Sequence, residues 1–382
     1  MMQTTKNYFF AVSVLIGQII GVGIFGLPVL IAKAGILSLL FFIVFIGFVQ
    51  YFIHLTYANI AMVTHGYHQM PGYAEKYLGK DGKHVVFLAG LLSNFSSLLA
   101  YTIVAGIFLN QLLSPTFGGN EMIYGTLIFL FEAVIVYFGV RALSRTELFM
   151  TALLLVTIGL IAGQSIEYIN FSNYQLIDWK YFLLPYGAML FALDGSIVIP
   201  FIVELAKKDK ANVKKVIRIG TFIPAAVTAI FALIVVGITG ANTTQESLSG
   251  VRTVAVDGVM TFALVFGVLC ITTSFLGTAQ ALTRVFSHDY KMGKFISWLL
   301  ALSVPYSLYL LGIDDLTKVI SFAGAVSGGL VAIILMMIGQ KLNEHPRQNI
   351  LFKHRIPKTV YYFLFAMFIA GIFYELFYFI LK

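Results

Sequence analysis

The residues Gly21-Val-Gly23-Ile-Phe-Gly26 satisfy the pattern G-x-G-x-x-G, and Pro28 follows two positions later. Glycines at this spacing can bring a backbone close to a phosphate. A dinucleotide site, however, also needs a strand before them and an acid about 20 positions on. The preceding AVSVLIGQII belongs to an apolar stretch running from Tyr8 to Ala32, too long for a strand, and Leu37 to Phe48 contains no acid. The remaining chemistry is that of an interrupted helix. Within a helix Gly costs about 1 kcal/mol and Pro about 3 kcal/mol relative to Ala, so Gly21, Gly23, Gly26 and Pro28 make this its weakest point. A break there frees the amides of Val22, Gly23 and Ile24 and aims the positive end of the following half-helix at the gap, which suits a carboxylate. Upstream, the carbonyls of Gly17 and Ile20 lose their partners and could hold a cation.

A second interruption has the same form. Gly195-Ser-Ile-Val-Ile-Pro200 repeats the glycine, four residues and proline of Gly23 to Pro28 after 172 positions. Asp194 adjoins it. A carboxylate inside a span costs at least ~2.5–3.5 kcal/mol, so its presence asks for a reason: binding an ammonium group, carrying a proton, or capping the next half-helix. The carbonyls around Ala192 and Leu193 could share the ammonium, and Phe191 could bound an apolar side-chain pocket. Tyr101 lies in the middle of another apolar run, where its hydroxyl could meet a carboxylate. Thr272, Thr273 and Ser274 could offer hydroxyls to a sodium ion together with Gly17 and Ile20, or bond their own helix carbonyls. His54, Glu132 and Glu375 read as interhelical hydrogen-bonding groups away from the breaks, and Gly324-x3-Gly328 as a close-packing stripe.

The elements carrying these groups are membrane helices. Of 382 residues 59% are hydrophobic and 11% charged, against roughly 25% charged in soluble domains. Apolar runs of bilayer-spanning length, about 20 residues, lie at 8–32, 36–63, 85–113, 122–140, 148–169, 183–205, 216–239, 258–287, 293–312, 316–340 and 357–381. The first is much longer than the apolar core of a signal peptide, about 7–15 residues, and reads as a retained span. With the N-terminus inside, twenty of the 25 Lys and Arg residues fall in inner segments, as the positive-inside rule requires. The net charge of +8 thereby reflects topology and anionic lipid, notably at KKDKANVKK (207–215), and not nucleic acid. The single cysteine, Cys270, excludes an internal disulfide.

The two Gly-x4-Pro breaks are five spans apart and so cross the membrane in opposite directions. The expected architecture is an all-α polytopic membrane protein with eleven transmembrane helices. A 5+5 inverted repeat (about 8–169 and 183–340) is followed by one extra helix (357–381), all in a single transport domain with the N-terminus inside. Paired broken helices at equivalent places of two repeats point to a transporter site near the midplane.

GVGIFGLP in span 1, FALDGSIVIP in span 6 and ITTSFLG (271–277) in span 8 resemble the amino acid–polyamine–organocation (APC) superfamily, nearest its amino acid/auxin and hydroxy/aromatic amino acid permease branches. The resemblance implies the leucine-transporter (LeuT-like) fold, with substrate between broken spans 1 and 6 and flanked by spans 3 and 8. Asp194 departs from the family pattern, which has a small or hydroxyl residue there. The resulting expectation is a secondary active permease of the cell membrane that takes up a hydrophobic or aromatic amino acid by symport with a proton or sodium, without a cofactor. Its candidate substrate residues are Gly21, Val22, Gly23, Ile24, Tyr101, Phe191, Ala192, Leu193, Asp194 and Gly195. The alternative is an amino-acid-sensing membrane subunit such as a germinant receptor component. No metalloprotease, serine-hydrolase or Walker motif is present, so the expectation is not an enzyme.

Overall fold

A computed structural model describes residues 2–66, 68–139, 152–153, 156–161, 163–164, 166–206, 209–252, 257–344 and 349–381. The main helices are α1 (Met2–Ile19), α2 (Gly23–Ala34), α3 (Ile36–Val63), α4 (Met70–Phe117), α5 (Glu121–Phe138), α6 (Pro185–Ala192) and α7 (Ile199–Leu205). They continue with α8 (Lys210–Thr239), α9 (Asp257–Arg284), α10 (Lys294–Leu310), α11 (Leu316–Phe322), α12 (Gly329–Asn343) and α13 (Lys358–Leu381). Eight helical stretches among the described residues are long and apolar enough to cross a membrane, and the bent pair α1–α2 makes a ninth. α10, at 17 residues, is shorter. Span 5, expected at 148–169, falls partly outside the described residues, and Arg141, Arg145, Lys207 and Lys208 lie outside them.

Local chemistry sets several helix starts. Asn120, Asp209 and Asp315 each accept the backbone N–H three residues on, at 2.9–3.1 Å, and so satisfy donors that a helix N-terminus leaves open. Span 3 differs from the expected 85–113. α4 begins at Met70 with Pro71 in its first turn and runs through a kink at Gly79, whose φ of 79° suits a glycine. Its first turns are therefore a separate segment leading into the span.

The glycine and proline clusters interrupt spans 1 and 6. α1 and α2 meet at 50° across Ile20–Val22, and α6 and α7 are separated by residues 193–198, including a short 3-10 turn at Ser196–Val198. Span 10 carries a third irregularity, a π-helical segment at Ala323–Gly328 between α11 and α12.

α1 packs on α8, α2 on α6 and α8, and α3 on α8 and α12. α4 is held by α9, α5 and α10, and touches the first group along α11, the π segment and α12. The periphery is apolar: Leu127, Phe131 and Val134 of α5 and Phe363, Phe373 and Phe377 of α13 are exposed. In a bilayer these faces meet lipid, while backbone polar groups stay bonded inside the helices. The loop at 175–178 seals the end of α2. Ile36 and Leu37 donate to the carbonyls of Gln175 and Leu176, and Asp178 donates to Ala34. The loop lies so close that a Cβ on Gly35 (φ 93°) would sit 2.6 Å from Ile177 Cα.

Candidate functional site

The two breaks meet. A Cβ on Gly23 would lie 2.7 Å from Ala192 Cα and 3.2 Å from the Phe191 ring. The start of α2 thus faces the end of α6 with no room for a side chain between them. At the first break Gly21 N–H bonds the Ile19 carbonyl, Ile24 N–H reaches back to Gly21 at 3.4 Å, and Phe25 N–H bonds Val22. The amides of Val22 and Gly23 have no backbone acceptor among the described residues. Of the three amides singled out in the sequence, these two are open and that of Ile24 is weakly engaged.

At the second break Leu193 N–H bonds the Met189 carbonyl and Asp194 N–H bonds that of Phe191. Asp194 Oδ1 accepts Ser196 N–H at 3.0 Å, which starts the second half of the span as a cap. Gly195 N–H donates to His54 Nε2 at 3.1 Å. No backbone N–H among the described residues reaches the carbonyls of Ala192 or Leu193, so this end of α6 presents acceptors opposite the donors of α2.

A cavity of about 100 Å³ opens between the breaks, room for about three waters at liquid density. Gly21, Val22, Gly23, Tyr101, Phe191, Ala192 and Asp194 line it, whereas Ile24, Leu193 and Gly195 do not. Asp194 is the only carboxylate on its wall among the described residues, and its side chain is 43% accessible. A wall that carries both open amide donors and a carboxylate offers partners for the two charged groups of a zwitterion.

The structure adds groups that the sequence reading passed over. Gln50 of α3 donates to the Leu190 carbonyl at 2.9 Å and is 4% exposed. The residue borders the same cavity, and its Oε1 is buried with no hydrogen-bond partner among the described residues. Ser93 and Ser97 of α4 add hydroxyls, while Val331, Leu335 and Phe368 add apolar surface. Helix hydropathy marks a span but not its rotation, so these positions carried no signal of their own. Gly324 and Gly328, read as packing alone, also line the wall. Gly324 packs against the Gly187 carbonyl as well, so one residue does both. His54, read as remote from the breaks, is bonded directly to one of them.

The flanking spans also differ from expectation. Span 3 borders the cavity through α4. Span 8 contributes no lining residue, because α9 lies against α4, α5 and α10. Thr272 faces the Glu132 carboxyl and Thr273 donates to its own Cys270 carbonyl at 2.8 Å. Two of the three hydroxyls considered for sodium therefore have other partners. Gly17 lies on α1 and Ile20 in the break that follows it, and neither they nor the three hydroxyls line the cavity.

A model of the tryptophan/tyrosine permease family matches residues 4–375. The chain belongs to that family. The resemblance to APC-type amino-acid transporters therefore holds across nearly the whole permease. It is 25% identical over 362 residues to glutamine transporter 2 of Aliivibrio fischeri, covering 88% of this chain and 90% of that one. It is 24% identical over 269 residues to a tryptophan-specific transport protein of Pseudomonas aeruginosa, covering 64% and 62%. Among solved structures, MhsT in complex with L-phenylalanine superposes with a TM-score of 0.67 over 96% of this chain and 97% of that one, at 16% identity. That likeness establishes a shared fold, of the leucine-transporter type. The permease is a multi-pass membrane protein of an amino-acid transport family, and the two relatives named here are transporters.

Proposed function

We propose that the permease is a secondary active transporter that moves a neutral amino acid across the cell membrane by alternating access around its two breaks. The observation that carries this reading is that the open Val22 and Gly23 amides share one cavity with Asp194 and Ala192, next to the free carbonyls that end α6. The amides hold the substrate carboxylate. Asp194 and the carbonyls take the ammonium, and Tyr101, whose hydroxyl lies near Gly21, closes the carboxylate end. Ile24 and Gly195 shape the breaks from behind.

Phe191, Val331, Leu335 and Phe368 receive the side chain, which favours a hydrophobic or aromatic substrate, as the names of the tryptophan relative and the phenylalanine complex suggest. A second reading, a side-chain amide such as that of glutamine, is favoured by the unpartnered Gln50 Oε1 and by the name of the glutamine relative. In this proposal the chain is one transport domain of eleven spans with the N-terminus inside. Inverted halves at 8–169 and 183–340 are followed by the extra helix at 357–381, and a proton or sodium gradient drives uptake. Uptake of labelled tryptophan, phenylalanine and glutamine into liposomes under imposed pH or sodium gradients tests it. Accumulation above equilibrium supports transport. Binding without accumulation instead identifies a sensor of the germinant-receptor kind.

A further inference from the structure

Behind the cavity wall His54 of α3 is fully buried, with 0% of its side chain accessible. Its hydrogen bonds define its state. Nε2 accepts the Gly195 amide at 3.1 Å, so that nitrogen carries no proton. Nδ1, 3.0 Å from Thr221 Oγ1 of α8, carries the proton and donates it. Asp194 Oδ1 stands 3.9 Å from Nε2, too far for a hydrogen bond and near enough to become a partner. Asp194 opens into the cavity on its other side.

We propose that His54 is the coupling-ion site of this permease, binding one proton delivered through Asp194. This inference rests on the transporter reading above. A proton from the bulk solution, carried through cavity water as hydronium, adds to the Asp194 carboxylate and leaves neutral water behind. The O–H bond then breaks as an N–H bond forms at His54 Nε2, leaving a carboxylate beside an imidazolium that still donates to Thr221. The pair changes from a net charge of −1 to zero. An imidazolium Nε2–H cannot accept the Gly195 amide, so the hydrogen bond holding the second break is exchanged for an ion pair with Asp194. Proton binding is thereby linked to the backbone geometry of residues 194–196.

The arrangement also explains why the proton acceptor lies behind the carboxylate. One carboxylate can face a substrate ammonium on its cavity side and an imidazolium on its buried side, so the two cations need not compete for a single site. With a zwitterionic substrate the loaded centre is neutral, which lowers the cost of enclosing it in a low-dielectric interior.

Among the described residues, the other ionisable groups around His54 leave it one charged neighbour, Asp194. α8 presents Thr221, with Arg218 one turn away and exposed beside Tyr51. Glu204 of α7 is exposed, and Lys341 of α12 is bonded to the Tyr77 carbonyl. Lys33 lies at the far end of α2, and Tyr186 of α6 reaches the Met367 carbonyl.

The test uses the full chain in liposomes with tritiated tryptophan, phenylalanine or glutamine, whichever the unaltered protein exchanges. His54→Gln can accept the Gly195 amide and donate to Thr221 but cannot carry a proton. It should retain substrate exchange at equal internal and external concentrations within about threefold, while accumulation driven by an inside-alkaline gradient falls about tenfold or more, to the equilibrium level. A merely structural role would reduce both together. Undiminished pH-driven accumulation by the variant overturns the inference and leaves transport standing, as does accumulation by the unaltered protein on a sodium gradient but not a pH gradient. If the unaltered protein neither exchanges nor accumulates any of the three, the transporter reading itself is lost and the inference with it. Should His54→Gln fail to fold, proton uptake by the unaltered protein on substrate binding in weakly buffered solution decides: about one proton per substrate is expected, and none overturns the proposal.

Discussion

Gly23 and Ala192, 169 residues apart, are in van der Waals contact, and a single methyl group on Gly23 would come within 2.8 Å of the Ala192 Cβ. The contact holds the donors of one half-helix against the acceptors of another, so the cavity depends on it. Gly23→Ala should push the breaks apart and reduce amino-acid uptake by about 100-fold or more, with the protein still monodisperse in detergent. Uptake within a factor of three of the unaltered protein would show that the contact is not required.

Asp194→Asn keeps an oxygen to accept the Ser196 amide but removes the charge facing the cavity. Hydrogen bonds to charged groups contribute about 1.5–3 kcal/mol, so substrate affinity should fall by roughly ten- to a hundredfold, read by isothermal calorimetry or scintillation proximity. Unchanged affinity would place the substrate ammonium elsewhere.

The buried Oε1 of Gln50 bears on side-chain selectivity. Gln50→Met keeps the volume and loses the acceptor. Binding of glutamine should weaken by roughly three- to tenfold relative to phenylalanine, the scale of one neutral hydrogen bond. An unaltered ratio of the two dissociation constants would leave the second substrate reading without support.

Stability has a separate determinant in the segment before α13. Asn59 of α3 is 3% exposed, and its Oδ1 accepts both the Ile350 and Leu351 amides at 2.9 and 3.0 Å. Asn343 ties the same segment down by exchanging two bonds with Ile356. Asn59→Leu leaves two amides without their acceptor, a cost of about 1–3 kcal/mol for each that stays buried. A drop of several degrees in thermal denaturation is expected, with substrate affinity retained because Asn59 does not line the cavity. An unchanged melting temperature would mean that the segment finds other acceptors.

Both breaks were legible because Gly and Pro act on the chain locally, and the pairing of GVGIFGLP with DGSIVIP needs no knowledge of packing. Asp194 was legible for a similar reason, as a charge where charge is costly. Gln50, Ser93 and Ser97 were not. Each sits in a helix that is apolar nearly all round, so only tertiary contacts decide which face turns inward. His54 was placed away from the breaks because span 2 carries no irregularity of its own. Its role depends on α3 bringing it within reach of Gly195, 141 positions later. The kink at Gly79 was missed because the polar residues around it read as a loop, although the helix resumes immediately.

The π-helical turn at Ala323–Gly328 gives span 10 a wider winding beside the cavity. Rewinding it to α geometry would release one residue of slack and rotate everything beyond it by about 100°. Val331 and Leu335, which line the cavity in the present winding, would turn off it together. Span 10 thus contains the means to exchange one set of wall side chains for another by a change of helical register.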